Sequence, residues 1–144
     1  MPNSCWSCSV MRTQIRIRER FCAALALKDP HLSEAESRRR YGRWTETHGH
    51  DFTVEVVVAG AVQRRTHCIM EYSALHRRVR RAIIAPVDHK CLNDVEMLRG
   101  VVPTAENMAR VFFKVLAHNL PRRLKLVSLT LEDGDGNATI VTEA

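Results

Sequence analysis

Two histidines flank a single glycine in His48-Gly49-His50, at the head of Asp51-Phe-Thr-Val-Glu-Val-Val-Val58, a run of strand character. Side chains on a strand alternate with period two, so the two imidazoles point to one face. Two imidazoles on one face can hold one divalent metal, zinc above all, once a third donor arrives from elsewhere. Gly49 between them leaves room for a backbone or a ligand. Alone, the tripeptide is equally an ordinary exposed strand start.

The elements that must position this pair follow from periodicity and turn chemistry. Ile15-Arg-Ile-Arg-Glu-Arg-Phe21 alternates and reads as a strand that can run on through Leu27. Lys28-Asp-Pro30 breaks it. Ser33-Glu-Ala-Glu36 has the capping-box form of a short helix reaching Tyr41. Gly42–Thr47 reads as a loop, 50–59 as a strand, Gly60 as a turn and Arg65–Met70 as a returning strand. Tyr72, Leu75, Val79, Ala82 and Ile83 recur at helical spacing, and Pro86 is expected to stop that helix. The stretch 87–93 reads as a polar loop. Thr104 caps a second amphipathic helix that ends at Pro121. The segment 124–131, a Gly-Asp-Gly-Asn turn and 138–142 form a closing hairpin. The order is strand, strand, helix, helix, strand, strand: an α+β domain with an antiparallel sheet whose edges call for pairing in an oligomer.

At 144 residues the chain has the length of one domain, with 1–13 a loose tail and 14–144 the folded unit. No apolar run reaches the ~18 residues a membrane span requires. No basic stretch followed by an apolar one marks a secretory signal at the start. The net charge of +6 comes from scattered basic runs at 12–20, 38–43, 77–81 and 122–125. Without interleaved aromatics, these fit solvated faces or a field for an anionic small substrate better than nucleic acid. Cys5, Cys8, Cys22, Cys68 and Cys91 are odd in number and unevenly spaced, which argues for a reducing, cytoplasmic setting. Cys5-x-x-Cys8 lacks a second ligand pair and is not read as a metal or redox site.

Five short motifs, taken together, carry a resemblance. They are His48-Gly-His-Asp-Phe-Thr-Val54, Ile69-Met-Glu-Tyr72 with Leu75, Pro86-Val-Asp-His-Lys-Cys-Leu-Asn93, Pro103-Thr-Ala-Glu-Asn107, and Leu131-Glu132. In this order and spacing the chain resembles the 6-pyruvoyl-tetrahydropterin synthase and 6-carboxytetrahydropterin synthase family over residues 15–142. The resemblance implies a tunnelling fold: a four-stranded antiparallel sheet with two helices on one face. It implies subunits joined edge to edge as trimers or hexamers, with active sites between them. The implied substrate is the polyanionic 7,8-dihydroneopterin triphosphate. A zinc ion and a proton-shuttling group would drive triphosphate elimination with rearrangement, or side-chain cleavage.

By the same resemblance His48 and His50 are two of three zinc ligands. Asp88 and His89 are the proton relay, the aspartate orienting the imidazole while it moves a proton. Glu132 anchors the pterin ring through paired hydrogen bonds. Thr104 and Ala105 lie beside that pocket. Glu106 falls in the family's Thr-x-Glu-Asn pattern, and helix-start electrostatics accounts for it equally.

Two positions depart from the pattern. The first-strand zinc ligand is expected in Phe-x-Ala-x-His, and here Phe21-Cys-Ala-Ala-Leu25 puts leucine there. Cys22 would face the opposite side of a regular strand, and His31 would require a local loop change. The family's catalytic cysteine is expected just before the His-Gly-His, where Trp44 stands; Glu46 is the candidate replacement base. Two functions follow as expectations: a pterin-forming lyase with an altered site, zinc weak or absent, or a catalytically degenerate pterin-binding or structural paralogue.

Overall fold

The computed structural model describes residues 11–144. Cys5, Cys8 and most of the expected tail lie outside the described residues. Two long strands form the centre of the sheet. β1 (Gln14–Leu25) pairs antiparallel with β2 (His48–Gly60) along its whole length, from Gln14 opposite Ala59 to Leu25 opposite His48. The connection between them carries α1 (Glu34–Tyr41), whose capping box is formed as its sequence requires: the Ser33 hydroxyl accepts from the Glu36 N–H, and the Ser33 N–H donates to the Glu36 carboxylate.

After β2 the expected returning strand at 65–70 is absent. The chain coils instead, with the His67 N–H donating to the Gln63 carbonyl and His67 at φ 57°. Ile69 and Met70 are apolar because they plug the core, not because they pair in a sheet. Gly60 closes tightly against this plug: a Cβ there would lie 2.6 Å from Leu124 Cδ2 and 3.1 Å from Ile69 Cγ2.

α2 (Tyr72–Val79) continues through a widened π turn, Arg80–Ile84, into a last turn, Ala85–Val87. The helix therefore passes Pro86 by one residue rather than stopping before it. In the widened turn the Ala85 N–H reaches back five residues to Arg80 O, which relieves the crowding a proline ring causes in a regular turn. β3 (Lys90–Cys91) follows, then α3 (Ala105–Asn119), capped by Thr104, whose hydroxyl accepts from the Asn107 N–H. β4 (Leu124–Glu132) and β5 (Ala138–Thr142) form the hairpin read from the sequence.

The sheet has five strands in the order β3-β1-β2-β4-β5. This corrects the expected four antiparallel strands with two helices: the sheet is mixed, and three helices accompany it. β3 runs parallel to β1, Lys90 opposite Ala23 and Cys91 opposite Ala24. Two residues are too few to show an alternating pattern, so the strand reads as loop. Its seat comes from Asn93, whose side chain bonds both the N–H and the carbonyl of Ala26. Leu75, Val79, Ile83, Phe112 and Leu116 of the helical segments are fully buried with Val54, Val56 and Leu129 of the sheet. Among the described residues, no helix is long and apolar enough to cross a membrane.

Candidate functional site

Strand parity places His48 and His50 as expected. Both lie on the face that carries Phe52 and Val54, with ring centroids 5.0 Å apart. The His48 Nδ1 lies 2.8 Å from the Glu46 carbonyl; a carbonyl only accepts, so Nδ1 is the protonated nitrogen. Gly49 is not forced by packing within the chain, since a Cβ there would meet only Ala23 O, at 3.8 Å. Trp44 covers the pair, its ring 5.0 Å from His48 and 6.5 Å from His50. Its backbone holds it there, the Trp44 carbonyl accepting from the Leu27 N–H at 2.8 Å.

The pair does not make a three-ligand zinc site. Leu25 sits directly opposite His48 and has no donor atom. Among the described residues no Cys, Asp, Glu or further His completes a set with the two imidazoles, His31 included. Cys22 points to the other face of β1, opposite Asp51. Two imidazoles packed under an indole form an aromatic wall rather than a metal cage.

That wall lines a cavity of about 310 Å³ closed on its other side by Thr104, Ala105 and Glu106 at the start of α3, and by Asp133. Asp133 accepts from the Asp135 and Asn137 backbone N–H groups and from Asn137 Nδ2, at 2.9–3.0 Å. Partial burial opposes its charge, but these hydrogen bonds and nearby His50 outweigh it and hold the carboxyl below the ordinary range.

A second cleft, of about 530 Å³, lies against Cys22, Ala24, Gly49 and Asp51, which sit on the sheet face opposite to the imidazoles; His50 is the one residue common to the two linings. His89, just past the end of α2, lines it, with Asp88 behind the imidazole. The His89 Nδ1 is 3.0 Å from Asp88 Oδ1, and its Nε2 is 3.4 Å from Cys22 Sγ. The backbone of Cys22 clamps the same pair: its N–H donates to Asp88 Oδ1 at 3.1 Å, and its carbonyl accepts from the His89 N–H at 2.7 Å. His89 sits at φ 57°, a conformation that costs energy outside glycine and persists only where surroundings impose it. The hydrogen bond from the Cys22 N–H, helped by His89, holds the Asp88 carboxyl below its ordinary value against the effect of burial. Donor atoms of Cys22, Asp88 and His89 lie within 4.8 Å of one another. Each is already engaged by the next, so the trio forms one continuous chain of polar contacts.

The structure thus brings together His48, His50, Thr104, Ala105 and Glu106, and places Asp88 and His89 with Cys22, whose side chain takes the opposite face of the sheet. It leaves two expected residues apart within one chain. The Glu46 carboxylate is 70% exposed, bonds Arg38 at 2.7 Å and lines a different hollow with Lys28 and Asp29. Glu132 lies opposite Thr53, on the sheet face away from His50, where its charge acts on Arg18. Asp133 and the Cys22–His89 contact are missed by sequence reasoning. Cys22 offers strand parity as its only signal, and parity says which face it takes but not what waits there.

Residues 14–144 match the family model described as 6-pyruvoyl tetrahydropterin synthase. The chain is 37% identical over 95 residues to the 6-pyruvoyl tetrahydrobiopterin synthase of Drosophila melanogaster, a match covering 64% of this chain and 56% of the fly protein. It is 32% identical over 125 residues to the dihydroneopterin monophosphate aldolase of Pyrococcus furiosus, covering 87% and 93%. The solved 6-pyruvoyl tetrahydropterin synthase of Caenorhabditis elegans shares the fold, with a TM-score of 0.83 at 24% identity, covering 93% of this chain and 97% of that one.

Proposed function

The chain belongs to the 6-pyruvoyl tetrahydropterin synthase family, and from that premise we propose that it is a lyase acting on the side chain of a phosphorylated 7,8-dihydroneopterin, the triphosphate first. One observation carries the reading: an imidazole held by an aspartate at 3.0 Å, facing an open cleft that His50 also borders. Phosphate elimination removes a C–H proton beside the leaving group, and side-chain cleavage removes an O–H proton. Either needs a positioned group that moves a proton, and a carboxylate-oriented imidazole is such a group. Thr104, Ala105 and Glu106 line the neighbouring cavity and are proposed to contact the substrate; Glu132 is proposed to anchor the pterin ring where subunits meet. The edge strands β3 and β5 suit continuation of the sheet in a trimer or hexamer. Free Cys22, Cys68 and Cys91 suit a reducing compartment such as the cytoplasm. Zinc is assigned no step, because the residues at the expected site do not form its ligand set.

The test is incubation of the protein with 7,8-dihydroneopterin triphosphate and magnesium, followed by chromatography of the pterins. Consumption abolished by His89→Ala supports the lyase; no turnover above that variant refutes it. A second reading, a pterin-binding paralogue without turnover, is favoured by Leu25 opposite His48 and by Trp44 over both rings. It expects pterin binding by the parent chain, with activity created only by Leu25→His with Trp44→Cys.

A further inference from the structure

We propose that Cys22 is the substrate-facing member of a proton relay Cys22–His89–Asp88 contained within one chain. Both ring nitrogens of His89 are engaged: Nδ1 by Asp88 at 3.0 Å and Nε2 by the Cys22 sulfur at 3.4 Å. A proton moving through His89 therefore enters or leaves by way of the thiol. Cys22 also shapes the pair through its own peptide, the N–H bonding Asp88 and the carbonyl bonding His89. One residue thus supplies the thiol and fixes the geometry of its two partners, including the left-handed backbone of His89. Cys22 lines the 530 Å³ cleft with Gly49, His50 and Asp51 of the adjacent strand, Asp51 being its direct pairing partner.

The step balances in protons alone. The Cys22 S–H passes its proton to His89 Nε2, giving a thiolate and an imidazolium steadied by Asp88. The thiolate takes one proton from the substrate, and the imidazolium gives one back to the product. No oxidant or second reactant enters. A thiolate is also the reactive form of cysteine toward electrophiles, which makes the relay visible without any turnover. Cys91 is a built-in reference: it lines the same cleft, and among the described residues its sulfur bonds the Asn93 amide oxygen, at 3.8 Å, rather than an imidazole.

This inference rests on the proposed lyase reading for its purpose, and its test separates the two. The full-length, EDTA-treated protein is labelled with iodoacetamide at neutral pH, and modified peptides are counted by mass spectrometry. Cys22 is expected to react about tenfold or more faster than Cys91, as a thiol beside an imidazole does, and His89→Ala is expected to remove the difference. Equal rates at Cys22 and Cys91, or a Cys22 rate indifferent to His89→Ala, overturn the relay. Where the parent consumes dihydroneopterin triphosphate, Cys22→Ala is expected to lower kcat by about a hundredfold or more, while the near-isosteric Cys22→Ser recovers part of it with KM unchanged. Full activity in a folded Cys22→Ala also overturns the relay. An inert parent with fast, His89-dependent labelling refutes the lyase and leaves the relay standing.

Discussion

Leu25 on β1 stands directly across from His48 on β2, the position from which a first-strand ligand would complete a metal site with the histidine pair. An isobutyl group, 4% exposed, fills that place. Leu25→His is therefore expected to raise bound zinc from substoichiometric to about one ion per chain, the three-protein-ligand count of catalytic zinc. Metal analysis after purification without added metal checks this. The gain must vanish when His48→Ala and His50→Ala are added.

The Asp88 carboxyl, held below its ordinary 3.8 chiefly by the hydrogen bond from the Cys22 N–H, makes stability depend on acid. A group whose folded value is depressed contributes stability that is complete above its unfolded value and lost as pH falls through the folded one. Parent and Asp88→Asn are thus expected to differ most above about pH 4 and to converge below it. Urea midpoints measured from pH 6 to pH 2.5 supply the comparison.

Asp133 organises the β4–β5 turn through hydrogen bonds from Asp135 and Asn137. Asp133→Ala leaves those donors to water and is expected to cost about 1 kcal/mol. Hydrogen exchange is expected to rise first at 134–138, before the rest of the sheet loosens.

Thr104 both caps α3 and lines the cavity beside His48 and His50. Thr104→Ala is expected to lower stability by about 1 kcal/mol, with Thr104→Ser restoring most of it. A loss of pterin binding that Thr104→Ser also restores would separate the hydroxyl's role from the methyl's.

Gly60 has no space for a side chain, with Leu124 Cδ2 at 2.6 Å from a built Cβ. Gly60→Ala is expected to cost about 1–3 kcal/mol, as overpacking does. Gly134→Ala, whose Cβ would meet Asp51 O at 3.5 Å, is the control and is expected to change stability by less than about 0.5 kcal/mol. Thermal unfolding of both variants checks the pair.

Local chemistry was enough for much of this molecule. Alternation along β1 and β2 tells which face each histidine takes, because the pleat has period two regardless of what packs on it. Ser33 with Glu36 and Thr104 with Asn107 announce two helix starts, since a cap is made by residues three apart. The Gly-Asp-Gly-Asn turn marks the last hairpin. The same parity reads His48 with His50 as a pair, and the motifs, Asp88-His89 among them, identify the family.

Distance along the chain decided the rest. Cys22 meets His89 across 67 residues, and only the parallel docking of a two-residue strand against β1 brings them together. That strand is too short for a pattern of its own and depends on Asn93 gripping Ala26. Glu46 turns to Arg38 and Glu132 to the far face of the sheet because a neighbouring cation and the register with Thr53 set their directions. The stretch 65–70 ends on Ile69 and Met70, which are apolar because they are buried, and they become a plug because Gly60 leaves room for Ile69 and Leu124. Sequence determined the faces, the caps and the family, which depend on neighbours in the chain. The tertiary structure decided which side chains meet across the sheet, because those contacts are made by strand pairing and packing between residues far apart in sequence.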